Sequence, residues 1–337
     1  IENSIDAGCS DITIEVADGG KTLIRVIDDG LGMSDIDLPI ALRRHATSKL
    51  PNDNLLNINS FGFRGEALPS LGAVGRLRII SHNDGNGAHE INVNGGKISD
   101  IKPAARTLGT TIELRDLFYA TPARLKFLRS TKSELKAITD IVKGLSISTP
   151  NVAFTLIDKT GGKSRKIIQV QKEKDVSLAS IKNRLSRVLG QDFSKNSISI
   201  DVTREDVNLT GYVCLPTYAR ASNAMQYFFV NNRQVRDKQL IGALRAAYSD
   251  FMPRDRFPAA AIYINCRPDF VDVNVHPGKS EVRFRDPQGI RSLIVTGIRQ
   301  VIAIEGHRSS STLSTAALGA MREQTRQIPN ATDEQVT

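Results

Sequence analysis

At Gly8 the hydrophobic spacing of this chain changes from that of a helix to that of a strand. Before it, Ile1 and Ile5 share one helical face, and Gly8 stands where a helix-ending glycine is expected. After it, apolar and polar residues alternate over Ile12–Val16, and a second strand-like run starts at Leu23 beyond an Asp-Gly-Gly turn, which predicts a hairpin. Because so short a helix is unstable alone, we expect further helical residues to precede Ile1.

The length and the order of such patterns predict two α+β domains. Residues 1–175 combine strand-like runs with a long helix over 132–147. The charged run Lys172–Asp175 indicates the boundary, and the second domain is expected over 176–306. Residues 307–337 begin Ser/Thr-rich and end polar, a composition typical of a flexible linker.

Composition narrows the functional classes. Lys and Arg number 45 and Asp and Glu 36, a net charge of +9 that favours a polyanionic partner but also fits an ordinary basic protein. The three cysteines lie far apart without a CxxC pair, so a zinc site or disulfide scaffold is not expected. Such scattered cysteines are typical of a reducing compartment, so we expect a cytoplasmic location. No apolar stretch approaches the roughly 20 residues of a membrane span, so no membrane partner is expected.

Three positions suggest a nucleotide site, although each has an ordinary alternative. Asn3 lies on the first helix, where an amide oxygen can bind Mg²⁺, but a plain polar helix residue fits equally. Asp28 ends a hydrophobic strand before Gly30 and Gly32, so its carboxylate could accept the amine proton of adenine; a simple Asp-Gly turn is the alternative. Thr111, in Gly109-Thr110-Thr111 at a strand edge, has a hydroxyl that could share a water with Asp28 and the base; an ordinary strand entry is the alternative.

A fourth cluster is a long polar, glycine-rich stretch over 45–68. Glycines beside a helix start present backbone N–H groups to phosphate, whereas a flexible capped connection is the alternative. The stretch contains neither a GxxxxGK[ST] phosphate loop nor a GxGxxG sequence. Its candidate ligands are Thr47, Ser48, Lys49, Gly62, Phe63, Arg64, Gly65, Glu66, Ala67 and Leu68.

The order of these clusters resembles the ATPase superfamily of DNA gyrase B, the large heat-shock chaperones, histidine kinases and MutL. The sequences IENSIDAG, HATSK, GFRGEAL, DLFYATPARLKFL and VDVNVHPGKSEVRF are more specific, and over about residues 1–305 the chain is similar to the MutL mismatch-repair family. The resemblance implies ATP bound through Asp28, Mg²⁺ bound through Asn3, and a lid formed by residues 45–68. It also implies that the first domain is a mixed, mostly antiparallel sheet with helices on one face, and that the second domain has the ribosomal-protein-S5-type β-α-β fold.

The resemblance alone gives Lys279 a role, because it implies a lysine that reaches the γ-phosphate from the second domain; otherwise Lys279 is a solvated turn residue. The family's catalytic Glu lies four residues before the Mg²⁺-binding Asn, at a position before Ile1. Glu2 is no substitute, since adjacent helical residues point about 100° apart. We therefore expect this chain to be impaired in hydrolysis and the complete protein to be a slow ATPase.

Basic residues cluster within 121–136 and again within 220–245, and no base-reading motif such as a zinc finger is visible. They predict sequence-independent phosphate contacts that weaken with salt, although solvated helix faces explain the first cluster equally well. The resemblance implies a DNA-binding groove in the second domain, which favours the second cluster. The candidate DNA-binding residues are Arg233, Arg236, Lys238 and Arg245.

The leading hypothesis is a DNA mismatch repair factor of the nucleoid. ATP binding and slow hydrolysis would switch homodimerisation of the complete protein and its hold on DNA, and so couple a mismatch-recognition protein to downstream repair factors. One alternative is a DNA-binding matchmaker with an inactive nucleotide site. Another is a gyrase-type ATPase, against which the HATSK and HPGK sequences argue.

Overall fold

The computed structural model describes residues 1–44, 65–85, 87–272 and 281–324, with the backbone alone described over 306–324. The helices are α1 (Glu2–Asp6), α2 (Asp37–Ala41), α3 (Ala67–Val74), α4 (Thr131–Ser148), α5 (Leu178–Leu189), α6 (Gln191–Lys195), α7 (Lys238–Ala247) and α8 (Pro287–Gln324). The strands of the first half are β1 (Asp11–Ala17), β2 (Leu23–Asp28), β3 (Arg76–Asn83), β4 (Gly87–Asn94), β5 (Lys97–Ile98), β6 (Lys102–Ala104), β7 (Gly109–Arg115), β8 (Ala153–Asp158) and β9 (Arg165–Val170). Those of the second half are β10 (Ser197–Arg204), β11 (Val207–Cys214), β12 (Gln226–Val230), β13 (Arg233–Val235), β14 (Ala260–Cys266), β15 (Val271–Asp272) and β16 (Arg283–Phe284).

The first sheet has nine strands in the order β5-β4-β3-β7-β2-β1-β8-β9, with β6 on β4. Among its described pairs only β1–β8 is parallel, which confirms the predicted mixed, mostly antiparallel sheet. The local predictions also hold: Gly8 has a φ of +68° after α1, and β1 and β2 pair as the predicted hairpin.

The two faces of this sheet differ in chemistry. Val16, Ile24 and Leu114 lie in one cross-strand row, on the face that α3 and α4 cover with apolar side chains. On the opposite face Arg25 bonds to Glu15 and Glu113 on its two neighbouring strands, each at 2.5 Å. The helices therefore lie on one face, as predicted, and the direction of a side chain follows from its parity along the strand.

The second sheet has the order β10-β11-β14-β12-β13. Strands β12 and β14 are parallel and α7 lies between them in sequence, which is the predicted β-α-β unit. Helices α7 and α8 pack on one face of this sheet, whereas α5 packs on the other.

The last turn of α4 belongs to both halves of the molecule. Ile147 is fully buried among aromatic residues of the second sheet, and its carbonyl accepts a hydrogen bond of 3.1 Å from the Tyr263 hydroxyl. Gly144, one turn earlier, leaves room for the Gln234 side chain, because a Cβ there would lie 1.8 Å from Gln234 Oε1. Apolar contacts thus cross the predicted boundary at residue 175, whose position stays a prediction.

Two elements differ from the sequence-based expectation. Strand β9 was not predicted; only Ile168 and Val170 of this edge strand are buried, so its alternation is weak. Helix α8 extends to Gln324, so the backbone of 307–324 is helical where composition predicted a linker. Its last turns contain Ala, Leu, Met, Arg, Glu and Gln, which are strong helix formers.

Candidate nucleotide site

Three polar side chains stand side by side across three strands at one end of the first sheet. Asp28 on β2 pairs with Thr110 on β7, and Thr110 pairs with Ser81 on β3. All three are buried and lie on the helix-covered face. The Ser81 and Thr110 hydroxyls are 2.9 Å apart. This polar row at the end of an otherwise apolar face is the clearest candidate ligand site in the described part of the chain.

The Asp28 carboxylate is held by backbone donors. Its Oδ1 accepts hydrogen bonds from the Gly30 N–H at 3.1 Å and from the Thr110 N–H at 3.2 Å. Both hydrogen bonds end on the same oxygen, so Oδ2 can still accept a hydrogen bond from a ligand. A buried carboxylate fixed in this way can recognise an amine such as the one on adenine.

The loop after β2 packs too closely to tolerate side chains at its glycines. A Cβ on Gly32, whose φ is +69°, would lie 2.0 Å from the His82 carbonyl oxygen, and one on Gly30 would lie 2.9 Å from the Ala7 Cβ. The Leu31 N–H donates to Ala7 O at 3.1 Å, and the Met33 N–H donates to Ser81 Oγ at 2.7 Å. The loop therefore joins the end of α1 to the polar row.

The start of β1 is tied to the same loop through Asp29. Its carboxylate accepts from Ser10 N–H at 2.7 Å, from Ser10 Oγ at 2.7 Å and from Asp11 N–H at 2.9 Å. Partial burial opposes ionisation, but these hydrogen bonds outweigh it and hold the pKa of Asp29 below its usual range. Burial and the nearby charges of Asp28 and Asp29 raise the pKa of the Cys9 thiol to about 12, so this cysteine is not a nucleophile at neutral pH.

Asn3 is exposed on α1, as a ligand for a nucleotide-bound cation would need to be. Among the residues that the structure describes, no group of three His, Cys, Asp or Glu side chains could hold a metal ion by itself. That finding is compatible with Mg²⁺ held mainly by phosphates and water, since Mg²⁺ usually keeps several waters and takes few protein ligands.

The structure corrects the prediction for Thr111. Thr111 pairs with Ile27 and so lies on the opposite face of the sheet from Asp28, where its hydroxyl accepts a hydrogen bond from Arg106. The residue beside Asp28 is Thr110. Sequence reasoning chose the wrong threonine of the pair because the parity of β7 is fixed by its pairing, which the local sequence does not reveal.

The predicted lid residues are described only in part. Gly65 has a φ of +61° just before α3, and Glu66 and Ala67 are exposed at its start, whereas Leu68 packs against the apolar core of the first sheet. Leu68 is thus a packing residue. Outside the described residues lie Thr47, Ser48, Lys49, Gly62, Phe63, Arg64 and Lys279.

The candidate DNA-binding residues divide into two groups. Arg233 is only 7% exposed, and burial lowers its pKa while the charges of Glu2 and Asp6 on α1 oppose that shift. Arg233 therefore faces α1 and is not a DNA-groove residue, which corrects its assignment. The sequence pattern could not reveal this burial, because it depends on how the two halves of the chain pack. The residues exposed as predicted are Arg236, Lys238 and Arg245.

Lys238 also lines a cavity of about 350 Å³ between α7 and the start of α8. Arg291 of α8 lines the same cavity, so two cations meet there. A basic recess of this kind suits a phosphate group, and Arg291 was not singled out in the sequence because it lies 53 residues from Lys238.

Ser81, Thr110 and Arg106 are site residues that sequence reasoning missed. Arg106 precedes β7, and its guanidinium donates to the carbonyls of Asp28 and Thr110 as well as to the Thr111 hydroxyl. The local signal in the sequence was the glycine, Gly109, before two threonines. In the structure Gly109 has a φ of +115° and packs against the Asp28 carbonyl. Contacts between residues 78 positions apart, such as Arg106 and Asp28, need the fold.

Comparison with known proteins agrees with this geometry. Residues 1–108 match the family model of histidine kinase-, DNA gyrase B- and HSP90-like ATPases, and residues 185–303 match the model of the C-terminal domain of DNA mismatch repair proteins. The chain is 50% identical over 323 residues to the DNA mismatch repair protein MutL of Rhodospirillum rubrum, covering 96% of this chain and 51% of that protein. It is 49% identical over 322 residues to MutL of Paramagnetospirillum magneticum, covering 95% and 52%.

Solved structures share the fold. The N-terminal domain of a DNA repair protein aligns with a TM-score of 0.77 at 23% identity, covering 90% of this chain and 92% of that one. The Aquifex aeolicus MutL ATPase domain complexed with ADP aligns with a TM-score of 0.60 at 23% identity, covering 87% and 92%. A topoisomerase IV ATP-binding domain from Francisella tularensis aligns at 0.52 and 16%, covering 91% of this chain and 85% of that one.

The first half of the chain thus has the fold of the gyrase B- and HSP90-like ATPases, with a polar row at its candidate site. The chain as a whole resembles the N-terminal ATPase region of the DNA mismatch repair protein MutL. It spans about half the length of the curated relatives it matches. Within the described ranges, no helix is long and apolar enough to cross a membrane.

Proposed function

We propose that this chain is the ATP-binding switch region of a DNA mismatch repair protein. The observation that carries the proposal is the buried Asp28 carboxylate, whose Oδ1 takes two backbone N–H groups and whose Oδ2 is left to accept the adenine amine. Thr110 and Ser81 complete the row, and Gly30 and Gly32 let the loop after β2 pack closely against Ala7 and His82 beside it.

Residues 45–68 and Lys279 keep their predicted roles in this proposal, as the lid and as the γ-phosphate ligand. Mg²⁺ held by Asn3 and the phosphates would neutralise charge that develops on the phosphate oxygens. Because one triphosphate would then touch both halves of the chain, its binding energy could favour one arrangement of the complete protein. Hydrolysis would release that arrangement.

The partners belong to the same proposal. The complete protein would form a homodimer when it binds ATP, hold DNA through phosphates irrespective of sequence, and link a mismatch-recognition protein to downstream repair factors. The exposed cations Arg236, Lys238 and Arg245 and the recess at Arg291 support the DNA contact. The alternative, a matchmaker with an inactive nucleotide site, is a possible outcome of the first experiment.

Asp28→Asn in the full-length protein is expected to weaken ATP binding by about 10- to 100-fold, because the amide N–H₂ cannot replace a charged acceptor facing an amine. The matched control is Asp29→Asn, which alters the neighbouring carboxylate that binds Ser10 and Asp11. ATP binding and steady-state hydrolysis would be measured for all three proteins with and without DNA.

Slow hydrolysis by the wild type, stimulation by DNA and a loss of affinity confined to Asp28→Asn would support the switch. A wild type that holds DNA but neither binds nor hydrolyses ATP would instead favour the inactive matchmaker. Equal loss in the Asp28 and Asp29 variants would show that loop integrity, and not adenine recognition, sets the affinity.

Reversing both charges at Arg236 and Lys238 is expected to lower DNA affinity equally on all sequences. It should also reduce the slope of log affinity against log salt by about 2, since each phosphate contact contributes about one unit. The control with the same change of net charge is Lys97→Glu with Lys102→Glu, two exposed lysines on β5 and β6. DNA binding across a salt series would decide; an unchanged slope in the Arg236 and Lys238 variant would remove these residues from the interface.

A further inference from the structure

Arg106 is a half-buried cation wedged behind the candidate adenine acceptor. It lies in the short connection that enters β7, and its Nη2 donates to the backbone carbonyls of Asp28 and Thr110, the latter at 2.9 Å. Its Nη1 donates to the Thr111 hydroxyl on the other side of β7. One guanidinium thus joins the last residue of β2 to the first two threonines of β7.

These bonds replace backbone pairing at the point where the strands end. Asp28 and Thr110 are partners in the β2–β7 register, but the Thr110 N–H is used by the Asp28 side chain. Arg106 supplies donors to the two carbonyls of that same residue pair. Gly109 makes this arrangement possible, because a Cβ there would lie 2.1 Å from the Asp28 carbonyl oxygen.

The charge of Arg106 acts in the same direction as its geometry. Burial lowers the pKa of the guanidinium, and the Asp28 carboxylate opposes that shift. The Asp28 carboxylate therefore attracts the cation that is held behind its strand. Arginine suits the place because its planar fork can serve three acceptors at once, which a lysine ammonium on a flexible stem does less well.

We propose that Arg106 is a positioning residue of the nucleotide site, which fixes the strand ends that carry Asp28 and Thr110 and thereby sets adenine affinity and selectivity without touching the nucleotide. This inference deepens the proposed function and rests on it for the identity of the ligand. Its structural part, that Arg106 orders the Asp28 and Thr110 strand ends, does not depend on ATP.

The test compares Arg106→Met and Arg106→Lys with Arg78→Met in the full-length protein. Arg78 is an exposed arginine of the same sheet that bonds to Glu90 and lies away from the polar row. Arg106→Met is expected to raise the ATP dissociation constant about tenfold or more, to narrow the preference for ATP over GTP, and to leave kcat at saturating ATP nearly unchanged. Arg106→Lys should recover part of the affinity, whereas Arg78→Met should bind ATP like the wild type.

Amide hydrogen exchange of the nucleotide-free proteins gives a second, ligand-independent measurement. Arg106→Met should speed exchange in peptides covering 28–33 and 107–112 and leave β8 unchanged. Wild-type ATP affinity and selectivity in Arg106→Met, or unchanged exchange in these peptides, would overturn the proposal. If the wild type itself fails to bind ATP, the proposed function fails, and the exchange experiment alone decides whether Arg106 orders the strand ends.

Discussion

Arg184→Met is expected to destabilise the protein by about 2–4 kcal/mol, because it removes a fully buried donor that three backbone carbonyls share. Arg184 is 0% exposed on α5, and its Nη2 donates to Val152 O at 2.8 Å, to Gln171 O at 3.0 Å and to Pro150 O. Burial lowers the pKa of its guanidinium to about 10, against the favourable charge of Glu173. Burying this cation costs free energy, and its hydrogen bonds to carbonyls at the ends of β8 and β9 offset that cost.

The control is Arg187→Met, three residues further along the same helix. Arg187 is exposed and bonds to Glu173 at 3.0 Å, and such surface pairs contribute about 0–1 kcal/mol. Urea unfolding followed by circular dichroism would compare the two midpoints at unchanged slope. Equal midpoints for the two variants would show that the three carbonyls find water or other donors without Arg184.

Gly32→Ala is expected to weaken nucleotide binding at least tenfold while the fold persists. An alanine here would have to adopt a φ of +69°, which is strained for any residue other than glycine. Its Cβ would also lie 2.0 Å from the His82 carbonyl oxygen, so the loop must move. That movement would pull on the Met33–Ser81 and Gly30–Asp28 hydrogen bonds that shape the polar row.

Gly161→Ala separates conformational strain from the clash. Gly161 has a φ of +66° in the turn between β8 and β9, and nothing lies within 4 Å of the position of an added Cβ. Both variants carry the strain of about 1–2 kcal/mol that a left-handed residue costs, but only Gly32→Ala displaces the site. Titration with a fluorescent ATP analogue, alongside thermal unfolding, would distinguish them; equal affinities in the two variants would contradict the role given to this loop.

The sequence predicted well whatever depends on neighbours in the chain. The first hairpin, the helix-ending Gly8 and the long α4 all follow from hydrophobic period and capping within a few residues. Asp28 was identified for the same reason, since a strand that ends in Asp-Asp-Gly is a local signal.

The errors lie where several strands or two halves of the molecule meet. Thr111 was chosen over Thr110 because a one-residue slip in parity moves a side chain to the other face, and only pairing with β2 and β3 fixes that parity. Arg233 read as a surface cation because its burial against α1 depends on how β13 packs. Ser81 gave no signal, since a serine in a strand becomes polar lining only when its neighbours across the sheet are known.

The shared turn of α4 also determines the order of events during synthesis. Ile147 lies against residues that include Tyr263, 116 positions later in the chain. At a synthesis rate of about 5–20 residues per second, a ribosome needs roughly 6–23 seconds to extend the chain from Ile147 to Tyr263. During this interval the nascent first sheet carries an apolar helix end without its final packing partners, and its folding can finish only after most of the second sheet has emerged.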